Sequence, residues 1–279
     1  MEQGTLYIVA TPIGNLEDIT LRALRVLREC DLIAAEDTRR TRKLLAAYDI
    51  KTSLTSLHDQ NEAQKSTSLI TEMQSGKSVA CVSDAGTPAI SDPGYVLVRE
   101  AIARGIRVVP IPGPSAVIAA LSASGLPTDS FVFHAFLPSR SGKRRQFLQS
   151  VAGEEKTMVC YESPNRLVAA LHDILSILGD RTVVVFRELT KLYEEVFRGT
   201  VTDVLASVEG KKVKGEITLI IRGAASGVPH WSPEDIEKRY KALRRDATLS
   251  TRDIIHIITK EMNLPRKEVY RIVQQHTSS

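Results

Sequence analysis

The chain has 279 residues, 43% of them hydrophobic and 25% charged, with a formal net charge of +4. That length leaves room for two domains of about 100–200 residues or one large one, and the apolar share excludes disorder of the whole chain. No stretch approaches the roughly 18 apolar residues that span a bilayer. Met1-Glu2-Gln3-Gly4 lacks the basic flank of a secretory signal. Three isolated cysteines, Cys30, Cys81 and Cys160, argue against a disulfide framework or a Cys-based zinc site. No membrane association and a cytoplasmic location are the expectations. Residues 1–228 hold 27 Lys/Arg against 26 Asp/Glu, and residues 229–279 hold ten against seven. A nearly neutral body with a basic tail points weakly to a polyanionic partner.

In chain order, Thr5–Ala10 reads as a buried strand and Thr11–Glu17 as a loop. Asp18–Cys30 spaces Leu21, Leu24 and Leu27 as a helix, capped by Asp18 or Thr20. Leu32–Ala35, Val79–Val82 and Val108–Ile111 read as further strands. Helices are expected near Asn61–Ser75 and Gly94–Arg104, each stopped by a glycine. Strands alternating with helices indicate parallel β-α units. The Pro110–Pro114 cluster closes this half and leads into a small-residue helix, Ser115–Ser124. Later apolar runs lie at Phe131–Phe136, Thr157–Tyr161, Val183–Arg187, Glu195–Gly199 and Ile217–Arg222, close enough together to suggest hairpins and a mixed sheet. Gly223–Pro229 reads as a linker. Helices at Pro233–Arg245, Ser250–Met262 and Pro265–Gln275 complete the tail, with Ser250 and Asp253 spaced as a capping box.

Neither a G-x-G-x-x-G fingerprint, a Walker A loop nor a G-x-S-x-G elbow is present. The histidines lack metal-ligand spacing, so no metal is expected, and His58, His134 and His172 read as structural. The segment Ser83–Gly94, SDAGTPAISDPG, is the strongest ligand-loop candidate, because small residues let backbone approach a ligand closely. Asp84 and Thr87 supply hydrogen-bonding groups there, and Asp92 is either a site carboxylate or the cap of the next helix. Ser115 sits where the halves join, as a crevice group or a helix cap. Three clusters, Tyr161–Arg166, Arg187–Lys191 and Gly215–Thr218, place charge at strand ends. Arg140–Arg145 and the trio Lys211, Lys212 and Lys214 read as loop-borne basic groups.

Taken together, TPIGNLEDIT at 11–20, AEDTR at 35–39, SDAGTPAISDPG at 83–94, PGPSA at 112–116, ESPNRL at 162–167 and RELTK at 187–191 resemble the ribosomal RNA small subunit methyltransferase I family, of the tetrapyrrole-methylase-like superfamily. The resemblance runs from residue 5 to about 223, and the tail resembles that family's helical C-terminal domain. It implies an α/β, two-domain tetrapyrrole-methylase-like (class III) fold, with domains at 1–112 and 113–225 and a small helical domain at 229–279. It implies S-adenosyl-L-methionine in the interdomain cleft, a homodimer, and 2′-O-methylation of a cytidine ribose in the decoding region of small-subunit (16S) rRNA. The substrate would be that rRNA or the assembled small subunit. Carried over by position, the cofactor residues are Pro12, Asp84, Ala85, Gly86, Thr87, Ile90, Ser115, Ala116, Tyr161, Glu162, Glu216, Ile217 and Thr218. Thr87 stands where tetrapyrrole-methylating relatives have Asp, and Pro12 lies where they have a Gly-Pro-Gly loop. Both departures argue against the alternative of a tetrapyrrole substrate. The intact cleft loops argue against a second alternative, a non-catalytic RNA-binding assembly factor. Candidate bases for the hydroxyl proton are Glu36, Asp37, Asp92 and, if burial lowers its pKa, Lys191. The sequence does not choose among them. Arg140, Lys143, Arg144 and Arg145 are the expected RNA grips, along with the tail.

Overall fold

The computed structural model describes residues 3–211, 213–225, 233–244, 249–262 and 269–273. Residues 1–223 form one compact unit and residues 224–279 a second.

The first unit begins with five parallel strands, β1 (Thr5–Val9), β2 (Leu32–Ala35), β3 (Leu54–Ser56), β4 (Val79–Val82) and β5 (Arg107–Ile111), in the order β3-β2-β4-β1-β5. Helices α1 (Leu21–Glu29), α2 (Thr38–Ala47), α3 (Glu62–Gln74) and α4 (Tyr95–Ala103) make the crossovers. Parallel strands buried on both faces need apolar side chains on both. Alternation along the strands supplies them: Ile33, Ala80 and Val82 pack with Leu24, Leu27 and Leu45 of α1 and α2. Ala34, Val79 and Cys81 pack with Leu69, Met73 and Leu97 of α3 and α4. Thr20 caps α1 by accepting from the Ala23 amide at 3.1 Å. Asp18 instead lies in a 3-10 turn, Leu16–Asp18.

A second five-stranded sheet holds β6 (Phe131–Phe136), β7 (Thr157–Glu162), β8 (Thr182–Arg187), β9 (Glu195–Thr200) and β10 (Ile217–Ile221), ordered β6-β7-β10-β8-β9. It is mixed: β6 and β7 are parallel, whereas β10 runs antiparallel to β7 and β8, and β8–β9 is a hairpin. Helices α6 (Ser141–Ser150), α7 (Leu167–Leu178) and α8 (Val201–Val208) cover one face around Cys160, Leu171 and Leu219. Helix α5 (Ala116–Ser124) covers the other, packing Val117, Ala120 and Leu121 on Val159, Val184 and Phe186. The 112/113 boundary expected from the sequence falls in the connection between β5 and α5.

Residues 38–47, 54–56, 167–178 and 201–208 form α2, β3, α7 and α8, where no element is expected. The basic run at 140–145 opens α6 instead of lying in a loop. Its Arg144 is buried, with its side chain 4% exposed, and its guanidinium pairs with Asp173 at 2.7 Å. Arg145 reaches the same carboxylate at 3.0 Å. Burial pushes the Asp173 carboxyl up, but the two guanidinium groups outweigh it and hold it low. Arg144 and Arg145 are thus a structural brace between α6 and α7, not free cations. Arg140 and Lys143 remain exposed.

In the second unit, α9 (Pro233–Leu243) and α10 (Thr251–Glu261) pack through Ile236, Tyr240, Ile254 and Ile258 against Val269 and Ile272, which lie in the helical residues 269–273. The Ser250–Asp253 capping box forms as expected. Most of the expected Pro265–Gln275 helix, the end of the 223–229 linker and Lys212 lie outside the described residues.

The three thiols are free and buried, one in each of three apolar layers: Cys30 with α1 and α2, Cys81 with α3 and α4, Cys160 with α6 to α8. Burial raises their pKa values to about 11, 12 and 12. His134, whose burial lowers its pKa, stacks edge-on with Phe147, and His172 meets Glu209 at 3.2 Å.

Candidate active site

Open parallel sheets bind ligands at the carboxyl ends of their strands. Here the loops after β1 and β4 converge at that edge and are joined to each other. The Thr11 amide donates to the Gly86 carbonyl at 2.9 Å, and the Gly86 amide returns a bond to Thr11 at 3.0 Å. The Thr11 hydroxyl also donates to the Ser83 carbonyl at 3.1 Å. Gly86 takes a positive φ of +83°, which a side chain disfavours. Ala89 and Ser91 adopt the same left-handed region at 67° and 64°, unusual for residues other than glycine. Such strain concentrates in loops whose shape is used.

A cavity of about 400 Å³ opens between these loops and the second sheet, within the usual size range of small-molecule sites. Glu36, Asp84, Ala85, Gly86, Thr87, Ile90, Ser91 and Asp92 form one wall, with Ile13 and Arg40 beside them. Ser115 and Ala116 join from the start of α5. Tyr161, Glu162, Ser163, Pro164, Gly215, Glu216, Ile217 and Thr218 face them, with Phe136. The opposing wall is set by register, because Ile217 pairs with Glu162 and Thr218 with Tyr161 across β10 and β7. A bulge between Phe133 and Phe136, with Ala135 at φ 54°, re-aims Phe136.

The first wall is acidic and internally tied. The Asp84 amide donates to Glu36 at 3.2 Å, and the Asp84 carboxylate accepts from the Asp37 amide at 3.0 Å. Arg40 lies 3.5 Å from Asp84. Burial, with Asp84 and Asp59 nearby, pushes the Glu36 carboxyl up despite the Asp84 amide. Asp92 is displaced furthest, to about 6, by burial first and then by Glu36. It is not the cap of α4. Gly94 holds that place, and Glu62 of α3 accepts the Gly94 and Val96 amides at 2.8 and 3.0 Å. With that role filled from another helix, the Asp92 side chain is left to the cavity. Across from it, burial and then Asp92 raise the Tyr161 hydroxyl to about 12.

The second wall carries an open acceptor. Glu162 is buried, and its Oε1 accepts from the Ser163 amide at 2.6 Å and from Arg166 at 2.9 and 2.8 Å. Its Oε2 is buried with no hydrogen-bond partner among the described residues. A buried acceptor left unmade costs about 1–3 kcal/mol, so this oxygen suits an N–H or O–H of a ligand.

Three sequence candidates fall elsewhere. Pro12 is half-buried beside Ile13 and outside the cavity lining. Asp37 caps α2 and pairs with Arg39, which holds its carboxyl far below the usual range. Lys191 does not meet the condition set for a base. Burial pulls its pKa down, but Glu188 at 2.9 Å and Glu216 at 3.1 Å outweigh it, and the net shift is upward. Its segment instead packs on the β1 loop: a Cβ on Gly14 would meet Lys191 Cγ at 2.4 Å and Thr190 Oγ1 at 2.7 Å. Ser115 fills both expected roles, lining the cavity and capping α5. Arg40 and Phe136 are lining residues that sequence reasoning did not name, and Ile13 and Ser91 entered only within the 11–20 and 83–94 motifs. Arg40, next after the AEDTR motif at 35–39, carried the clearest signal.

Residues 5–205 match the family model of the Tetrapyrrole (Corrin/Porphyrin) Methylases. Among similar proteins, a ribosomal RNA small subunit methyltransferase I of Halalkalibacterium halodurans is 46% identical, over 98% of this chain and 96% of its own. Proteins of the same name from Thermotoga maritima and Escherichia coli O157:H7 are 51% and 53% identical. Each aligns with 79% of this chain, and with 99% and 78% of its own length respectively. In fold, the chain resembles a diphthine synthase (TM-score 0.61, 17% identity, 78% of this chain and 90% of the other). It also resembles a uroporphyrin-III-C-methyltransferase of Thermus thermophilus (TM-score 0.55, 23% identity, 79% and 94%).

Proposed function

Because this chain belongs to the ribosomal RNA small subunit methyltransferase I family, we propose that it methylates the 2′-hydroxyl of a cytidine in the decoding region of small-subunit rRNA. Its methyl donor is S-adenosylmethionine. The cavity fits that group. The acidic wall of Glu36, Asp84 and Asp92 suits a cation. Ile13, Ile90, Phe136 and Ile217 suit a flat apolar ring, and Glu162 Oε2 suits a donor N–H or O–H. When bound, the donor supplies an electrophilic methyl on a sulfonium centre.

The observation that carries the reading is Asp92, a cavity carboxyl with its pKa near 6. A ribose hydroxyl is a poor nucleophile until its proton leaves. A base effective near neutral pH contributes about 10²–10⁴-fold. Asp92 is ionised above pH 6 and accepts that proton at its carboxylate. Glu36 keeps Asp92 basic by repulsion, and Arg40 offsets the charge at the rim. Tyr161 faces Asp92 across the cavity and is held protonated by burial and then by the Asp92 charge. The strained Ala89–Ser91 backbone fixes the carboxylate on a loop that cannot relax freely. In this reading residues 1–112 and 113–225 act as two lobes around the donor, a second copy completes a homodimer, and 229–279 is a separate module.

The test is transfer of labelled methyl to small ribosomal subunits from cells lacking the protein, with mass-spectrometric mapping. Label on a cytidine 2′-oxygen in the decoding region is expected. RNA left unlabelled, with label entering a porphyrin substrate, would replace this reading with the tetrapyrrole one.

A further inference from the structure

We propose that helix α2 is a phosphate rail, the surface on which an RNA backbone rests as its ribose enters the cavity. The proposal rests on the reading of the substrate as rRNA and adds where that RNA is held. Helix α2, TRRTRKLLAA, carries Arg39, Arg40, Arg42 and Lys43 and no acidic residue. Thr41 and Leu45 are buried and fix its inward face. Arg39 and Lys43, four residues apart, therefore share the outward row, and Arg42 and Arg40 lie on opposite flanks. Arg40 reaches the cavity wall, so the basic surface begins where the site opens.

Arg39 is paired with Asp37, and Arg40 lies 3.5 Å from Asp84. Arg42 and Lys43 are exposed and form no ion pair with the described residues. The concentration is local, since residues 1–228 as a whole carry only one surplus positive charge. It also lies where a polyanion needs it. The cavity carboxylates Glu36, Asp84 and Asp92 repel an approaching phosphate chain, and a nucleoside reaches them only if its flanking phosphates are neutralised outside. Of the basic groups expected to do this, Arg144 and Arg145 are held by Asp173. Helix α2 is the basic surface that borders the cavity itself.

The test uses the full chain and the double variant R42Q/K43Q, whose side chains are exposed and outside the cavity. Binding of protein-free small-subunit rRNA is measured across salt concentrations, and methyl transfer is measured on assembled small subunits. The expected result is a log–log salt slope reduced by about 1.5 and a KM for subunits raised about tenfold. The kcat and donor affinity stay at the wild-type values. R140Q/K143Q, at the start of α6, is the comparison variant, and a slope reduction confined to it, with R42Q/K43Q unchanged, would overturn the proposal. An unchanged slope and KM in R42Q/K43Q would overturn the proposal. A loss on assembled subunits without one on protein-free rRNA would also overturn it, assigning α2 to a subunit protein. The slope requires no methyl transfer, so it decides the role of α2 separately from whether the wild-type chain labels RNA.

Discussion

The two sheets of the first unit build their halves of the cavity in different ways. The parallel sheet contributes loops beyond its strand ends, shaped by left-handed backbone at Gly86, Ala89 and Ser91 and carrying carboxylates. The mixed sheet contributes its strands directly. Tyr161 with Thr218, and Glu162 with Ile217, are cross-strand pairs at the end of β7 and the start of β10. A loop wall depends on backbone conformation, and a strand wall depends on register. Substitutions should therefore damage the two walls by different routes.

The largest expected effect is on the loop wall. Asp92→Asn should lower kcat by about 10²–10⁴-fold and abolish the fall in kcat as the pH of the wild-type assay drops through about 6. The stability effect has the opposite sign. Asp92 has its pKa raised on folding from 3.8 to about 6, so the stability it contributes when protonated is lost as pH rises from about 3.8 through 6. Asp92→Asn should thus raise Tm most at pH 8, less at pH 5, and leave it nearly unchanged only below the unfolded value of 3.8. A wild-type rate and pH profile would remove Asp92 from the chemistry and leave the loop wall a binding surface alone.

Next is the brace behind the strand wall. Asp173→Ala leaves Arg144 buried without its partner, a change that costs about 3–5 kcal/mol in comparable cases. Chemical denaturation should show that loss, and RNA affinity measured on the remaining folded protein should be unchanged. Weakened RNA binding at constant fold would return the 140–145 run to an RNA role. On the strand wall itself, Glu162→Gln keeps the shape but alters the open acceptor. Donor affinity should fall by about tenfold, as expected for one lost hydrogen bond to a charged group, with kcat nearly preserved. A drop in kcat alone would place Glu162 with the nucleophile rather than the donor. The smallest effect tests backbone. Gly86→Ala meets only Ile13 Cγ2 at 3.5 Å and Pro114 O at 3.9 Å, so space is not limiting. The cost is the positive φ, about 1–2 kcal/mol, read in thermal unfolding.

The same contrast explains what the sequence made legible. Apart from β3, the strands of both sheets stand out as apolar runs within a residue or two of their bounds, and burial on both faces demands this of inner strands such as β4 and β10. Helix α2 does not stand out. Its buried face is only Thr41 and Leu45, and its basic residues mask the period. Strand β3 is three half-buried residues at a sheet edge, too short to show alternation. The 140–145 run looks like a loop because its pairing with Asp173, 28 and more residues away, is not a local property. Around the cavity, motif strings brought Gly86, Thr87, Ser115, Tyr161 and Thr218 to notice. Phe136 was hidden, since only the bulge at Ala135 turns it toward the site. Among Glu36, Asp37, Asp92 and Lys191, sequence alone could not show that Asp37 caps α2 and that Lys191 is paired with two carboxylates, which leaves Glu36 and Asp92 in the cavity wall.

The placement of the three cysteines has a practical consequence. With one thiol in each of three packed layers and each thiolate disfavoured by burial, a thiol reagent reacts only when a layer opens. The unaltered chain thus carries three built-in clocks. The rate at Cys30 times the opening of the α1–α2 layer, Cys81 that of the α3–α4 layer, and Cys160 that of the layer beneath α6 to α8. Mass spectrometry of a single labelling time course reads all three, and the slowest clock marks the part of the fold that lets go last.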